Sequence, residues 1–263
     1  MRPRHLAVLC LVLSVPTFLS AQGQPPSDPQ ALAYAAQSIA AMTGGNAISD
    51  VTLTGSVTWN AGADSGNATL RALGTGESRM DLVLSSGTRS EIRDAQTGAA
   101  IGQWINPDNT SGLYASQNCW TDAVWFFPVL GSLAVGPNVV LSYIGQETRN
   151  GATVQHVQSY VYDPNWPAGV TPSDEQLSTM DFYLDASTLL PVAIAFNIHP
   201  DNDATTNLPV ETDFANYQTT SGVTAPMNIQ RYQQGNLMVD VTVSGASFNT
   251  GLSLSTFAVN QTN

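Results

Sequence analysis

The stretch "HPDNDATTN" sets His199, Asp201 and Asp203 close together, with Glu211 and Asp213 downstream. Oxygen atoms at alternate positions suit a hard cation such as calcium. An EF-hand loop, however, needs a central glycine and a terminal glutamate at fixed offsets, and both are missing. The segment reads instead as a solvated hairpin loop. Zinc has no better claim, because the chain has neither an HExxH helix nor paired cysteine motifs. No metal and no cofactor is expected.

Nucleophilic catalysis finds as little support. No GxSxG elbow occurs, and the serine-rich "LSSGTRSE" has the composition of a turn between strands. A Ser–His–acid triad could draw only on His156 or His199. His156 falls in mid-strand and reads as a hydrogen-bonded structural residue, whereas His199, before a proline in a polar loop, reads as exposed. Cys119 has no partner cysteine beyond the first segment, and in "NCW" it reads as a small buried hydrophobe. Carboxylate pairs could serve glycoside hydrolysis, and Asp181 with Asp185 or Glu211 with Asp213 are the pairs on offer. Asp185 in "LDAST" is better explained as a turn residue whose carboxylate accepts backbone N–H bonds. "GTGESR" has glycines before an arginine, but it lacks a P-loop lysine and precedes a strand.

What remains is apolar. Five tryptophans (Trp59, Trp104, Trp120, Trp125 and Trp166), with Phe126 and Phe127, are more than a compact β meander needs. They either form the core between sheet and helices or line a ligand cavity, since a curved sheet with helices over its concave face leaves an apolar pocket. The candidate wall is Trp59, Leu82, Trp104, Trp125, Phe126, Phe182, Ile194 and Phe196. Each methylene hidden there would contribute about 0.8 kcal/mol, so an acyl chain of about ten carbons could hold by roughly 8 kcal/mol before entropy losses.

Strands must supply that wall. "VTLTGSVTW" puts Val51, Leu53, Val57 and Trp59 on one face at period two, and "RMDLVLS" aligns Met80, Leu82 and Leu84. "SEIRDAQTGAAIGQWIN" reads as a hairpin about "QTG". Val154, His156, Tyr160 and Tyr162 share a face, as do Leu237, Val239, Val241 and Val243. In "DFYLDASTLLPVAIAF", Val192, Ile194 and Phe196 should face the interior while Ala193 and Ala195 face away. "DPQALAYAAQSIAAMTGG" has a capping Asp28, Pro29 in the first turn and Gly44–Gly45 as a stop, so a helix is expected, with Leu32, Ala36, Ile39 and Ala40 as its apolar stripe. "CWTDAVWFFPVLGSLAVG" breaks the alternation and reads as short helices or a hydrophobic flap covering something. The expected fold is mainly β: one continuous set of about ten antiparallel strands, strongly curved, with a cover of two or three helices.

Residues 1–21 read as a cleaved export signal, with Arg2 and Arg4 ahead of an apolar run too short to span a bilayer and Ala21 at the cut. Residues 22–263 then form a single domain in the periplasm or outside the cell, without a later transmembrane segment. The formal net charge is −12, and every basic residue is arginine. Such a balance disfavours nucleic acid and anionic membrane surfaces.

Residues 179–257 resemble the C-terminal strands of the LolA/LolB-like outer-membrane lipoprotein-sorting and carrier superfamily. The shared phrasing is an "LD..T.LP" turn carried by Leu184, Asp185, Thr188, Leu190 and Pro191. A second run follows at Phe214, Tyr217, Gly222, Val223, Pro226, Ile229, Arg231, Tyr232, Gly235 and Asp240. These are fold-forming positions, and the N-terminal half is similar only in its order of strands. The resemblance implies an incomplete, bent antiparallel barrel with helices plugging an apolar concave side, and a role in carrying lipids or lipid-modified proteins. It also implies a cavity arginine that controls release, for which Arg71 and Arg79 lie in the early strands without either standing out. The lipoprotein cysteine of the membrane-anchored acceptor branch is missing.

Three functions are therefore open: an exported non-catalytic carrier of an acyl or other apolar ligand, a structural protein of the cell envelope, or a secreted hydrolase using Asp201, Asp203 and Glu211.

Overall fold

Period-two burial runs through the chain. In β1 (Asp50–Trp59), Val51, Leu53 and Val57 are buried while Thr54, Ser56 and Thr58 face solvent. The computed structural model describes residues 23–94, 100–122, 124–128, 138–167 and 169–259. The expected export signal (residues 1–21), the expected turn about "QTG" and residues 129–136 of the tryptophan-rich segment lie outside them.

From β1 the chain moves outward through β2 (Asp64–Leu73), β3 (Glu77–Leu84), β4 (Gly87–Asp94), β5 (Ile101–Ile105) and β6 (Ser111–Tyr114), each antiparallel to the last. A second meander comprises β7 (Val139–Arg149), β8 (Ala152–Val161), β9 (Met180–Asp185), β10 (Pro191–Ile198) and β11 (Leu208–Ala215). It returns through β14 (Asn228–Gln233) and β15 (Asn236–Phe248), which pairs with β1. A small hairpin, β12 (Gln218–Thr220) and β13 (Val223–Ala225), stands apart. The large sheet thus has thirteen strands, with β6 at one edge and β7 at the other.

This order explains the break in alternation after Tyr114. Consecutive strands β6 and β7 occupy opposite edges, so the connection between them must cross the sheet. Of its described part, Val124, Trp125, Phe126 and Phe127 lie on the concave side, buried in one core with Leu53, Leu70, Leu82, Phe182 and Ile194. The sheet bends far enough for residues of β4 and of β14 to line one hollow although four strands separate them. Register shifts at Thr54/Gly55, Arg231/Tyr232, Pro191/Ala193 and Tyr143/Gly145 increase local twist and aid the bend.

The described residues hold fifteen strands, more than the ten or so that the pattern suggests. The excess is in short pieces such as β6, β12 and β13, where three or four residues give alternation too little length to register. Helical cover is also smaller than expected. Helix α1 (Pro29–Thr43) packs near β7, β8 and β13, whereas α2 (Gln117–Asp122) and α3 (Asp174–Ser178) are little more than single turns. A tight turn of four bulky side chains, Val124–Phe127, adds to the filling.

Helix α1 begins where its cap signals place it. The Asp28 carboxylate accepts from the Gln30 and Ala31 N–H groups, and Gly44 closes the helix in the left-handed region. Its buried stripe is Ala31, Ala35, Ser38 and Met42; Leu32 is exposed, so the helix is rotated from the expected face. Ile194 and Phe196 enter the main core as expected, and Ala193 and Ala195 take the other face. Val192 joins the alanines there, because the bulge between Pro191 and Ala193 interrupts alternation at that point.

Candidate ligand-binding site

Strand β4 carries "TRSEIRD", and its period of two sends Arg89, Glu91 and Arg93 to the concave face while Ser90 and Ile92 turn outward. Across β3, these residues stand opposite the core side chains Leu82 and Met80 and the buried Ser78. On the other side, Glu91 is opposite Trp104 and Arg93 is opposite Gly102. Charge has replaced hydrocarbon on an inward-facing strand.

Glu91 lies between two guanidiniums. Arg89 Nη2 reaches its Oε1 at 2.6 Å and Arg93 Nη1 its Oε2 at 2.9 Å. Burial by itself would raise the Glu91 carboxyl, but the charges of Arg93, Arg89 and Arg231 bring it down to about 2. Arg231 arrives from β14, at the far side of the bend. Each guanidinium also rests on an aromatic face: Arg89 over Trp59 (4.6 Å to the centroid), Arg93 over Tyr114 (4.2 Å) and Arg231 over Trp125 (5.0 Å).

Two glycines make room for this layer. A Cβ on Gly102 would fall 2.9 Å from Cys119 Sγ and 3.0 Å from Tyr114 Cδ2, so only glycine lets Arg93 reach over β5 to the tyrosine ring. A Cβ on Gly112 would fall 2.6 Å from the Trp104 indole, which lies across β6 at that position.

A hollow of about 340 Å³ opens beside these groups. Trp59, Trp104, Ile198 and Met238 supply its apolar wall; Arg89, Arg93, Arg231, Glu91 and Asp201 supply its charge. His199 completes it and is buried, contrary to the expected exposure. The Asn118 side chain explains why: its amide donates to the His199 carbonyl at 2.7 Å, and its oxygen accepts the His199 N–H at 2.8 Å. That pair ties α2 to the end of β10. His199 Nδ1 meets the Thr206 carbonyl at 3.1 Å, while Nε2 is buried without a hydrogen-bond partner.

Of the eight apolar residues singled out from the sequence, Trp59 and Trp104 line the hollow. Leu82, Trp125, Phe126, Phe182, Ile194 and Phe196 stand together behind it as one packed core. Arg71 and Arg79, the early-strand arginines between which the sequence does not choose, alternate with core residues Leu70, Ala72 and Met80 and so face outward, where both pair with Asp81 at 2.8 Å. The acidic residues do not converge. Asp201 sits at the concave hollow; Asp203 is bound to the Thr205 and Thr206 hydroxyls of its own loop; Glu211 and Asp213 belong to β11 and line a separate hollow on the other face with Asp181. On that face His156 Nε2 meets Asp181 Oδ1 at 2.8 Å, and Arg149 stacks on Tyr183 and pairs with Glu211. His156 is thus hydrogen-bonded within the sheet, and Cys119 is buried. No group of three potential metal ligands occurs among the described residues.

Three solved structures share this architecture. A domain from Vibrio parahaemolyticus assigned to outer membrane lipoprotein sorting aligns with a TM-score of 0.53 at 14% identity, covering 86% of this chain and 95% of that one. A LolA superfamily protein from Nitrosomonas europaea gives 0.54 at 9% identity, over 87% and 97%. The fold is LolA-like. A DUF1329 family protein from Desulfovibrio piger likewise gives 0.54 at 9% identity, over 89% and 98%. The LolA-like likeness therefore spans both meanders, beyond the C-terminal strands whose turns carry it in the sequence. No protein-family model and no curated protein matches the chain. Within this LolA-like frame, the mixed apolar and cationic hollow is built from this chain's own residues. No helix among the described residues is long and apolar enough to cross a membrane.

Proposed function

We propose that the chain is an exported, non-catalytic carrier or binding protein that holds an acyl or other apolar ligand on the concave side of its half-barrel. The observation that carries this reading is the hollow bounded by Trp59, Trp104, Ile198 and Met238. Its volume, about 340 Å³, falls at the lower end of the range typical of ligand pockets and suits one end of an amphiphile. Trp125 and Phe126 occupy the bowl behind it, so a longer chain meets Leu82, Phe182, Ile194 and Phe196 only where those two side chains yield. The leader read at residues 1–21 and the LolA-like fold favour a place in the cell envelope or outside the cell, and the fold keeps a link to lipoprotein sorting in view.

Gentle purification followed by mass spectrometry of extracted lipids tests the reading, together with displacement of a fluorescent fatty acid. A bound amphiphile, or saturable uptake of the probe, is expected. A ligand-free protein that also ignores the probe would contradict it.

A further inference from the structure

We propose that the concave hollow selects an amphiphile with an oxyanion headgroup, a carboxylate or a phosphate, which is held by Arg89, Arg93 and Arg231. The inference rests on the carrier reading and adds the ligand class. It starts from a charge distribution. The chain has 20 acidic residues against 8 basic ones, yet three of the basic residues line this one hollow. The other charged side chains in its wall are Glu91 and Asp201, so cations outnumber carboxylates there while the molecule as a whole is strongly anionic. Concentrating arginine in that way stabilises nothing that leucine could not stabilise in a sheet's core.

The donors suit an oxyanion. Arg89 gives Nε and Nη2 to Glu91 and Nη1 to Asn106, which uses three of the five N–H groups a guanidinium carries. The stacking of Arg89 on Trp59, Arg93 on Tyr114 and Arg231 on Trp125 fixes the planes of the forks before a ligand arrives. His199 Nε2, in the same wall, is a buried polar atom without a partner, as a protein leaves one where a ligand completes the set. Nδ1 is directed to the Thr206 carbonyl, which leaves Nε2 as the ring nitrogen a headgroup can engage. The indoles of Trp59 and Trp104 and the side chain of Met238 then receive the first methylenes.

Calorimetry at neutral pH with decanoate, decyl phosphate, decanol and butanoate tests this, using the wild type, Arg89→Gln and Arg89→Lys, each checked for folding by thermal unfolding. Decanoate and decyl phosphate are expected to bind about tenfold or more tightly than decanol, as one charge-assisted contact implies. Added salt should erode that preference, Arg89→Gln should remove most of it, and Arg89→Lys should keep part. Equal affinity for decanol and decanoate would overturn the headgroup inference and leave the carrier reading standing. So would a folded Arg89→Gln with its preference intact. If Arg89→Gln fails to fold, the headgroup comparison and its salt dependence in the wild type decide. Arg89-dependent binding of butanoate with no gain from the longer chain would keep the anion site and contradict the carrier reading. Binding of none of the four would overturn both.

Discussion

Arg93 lies over the ring of Tyr114, 4.2 Å from its centroid, and the residue between them on β5 is Gly102. The contact exists because that position has no side chain. Gly102→Ala would drive a methyl into Cys119 Sγ, the Ile92 carbonyl and Tyr114, all at 3.0 Å or less. Overpacking of this kind typically destabilises by about 1–3 kcal/mol. Urea unfolding should register that loss, and binding in the adjacent hollow should weaken with it. An unchanged midpoint would mean that β5 and β6 do not approach as closely as described.

The apolar candidates divide into core and wall, and truncation separates them. Phe182 is fully buried, so Phe182→Ala should destabilise by about 3–5 kcal/mol. Trp104 is half-buried at the hollow, so Trp104→Ala should destabilise by less, about 1–2 kcal/mol, while weakening uptake of a fluorescent fatty acid. Similar stability losses with no change in uptake would remove Trp104 from the wall.

On the opposite face, Asp213 is raised from the ordinary 3.8 to about 6 by burial and by the neighbouring Glu211, against the pull of Arg149. One of its carboxylate oxygens is buried without a partner. A carboxyl with a raised folded-state pKa binds its proton more tightly in the folded than in the unfolded chain. Its effect on stability is therefore unfavourable as pH rises from about 4 to about 6. Solvent screening of this half-exposed group limits the change to about 1 kcal/mol. Thermal unfolding across that range should show Asp213→Asn gaining on the wild type as pH rises, and parallel curves would contradict the assignment.

The turn after β9 was legible residue by residue. The Asp185 carboxylate accepts from the Ser187 and Thr188 N–H groups at 3.0 and 2.8 Å and from both hydroxyls. These bonds hold the carboxyl below its ordinary range, the Ser187 hydroxyl first among them. Asp185→Ala is expected to destabilise by about 1 kcal/mol at neutral pH, read by denaturant unfolding. Because the folded-state pKa is lowered, the wild-type advantage should shrink as pH falls below the usual carboxylate range.

Local signals such as this turn, the Asp28 cap and the alternation of Val51, Leu53 and Val57 are written in neighbouring residues, and they led to the right elements. The hollow is not written that way. Arg89 and Arg231 line one hollow only because the sheet bends, and His199 is held there by Asn118, on another element, which takes its backbone groups. One signal was available: Arg89, Glu91 and Arg93 alternate with Ser90 and Ile92, so a charged face of β4 had to point somewhere. Choosing the face requires knowing that Leu82 and Met80, opposite it on β3, lie in the core. The same knowledge sends Arg71 and Arg79 outward.

The central claim is that ligand occupies the concave hollow, and a crystal structure with ω-bromoundecanoate bound, read by the anomalous signal of bromine, tests it most directly. The carboxylate is expected against Arg89 and its neighbours, with bromine density continuing from the side of Trp59, Trp104 and Met238. Bromine density beside Asp181 and Glu211 on the opposite face, or an empty hollow in a protein shown to bind the acid, would contradict it.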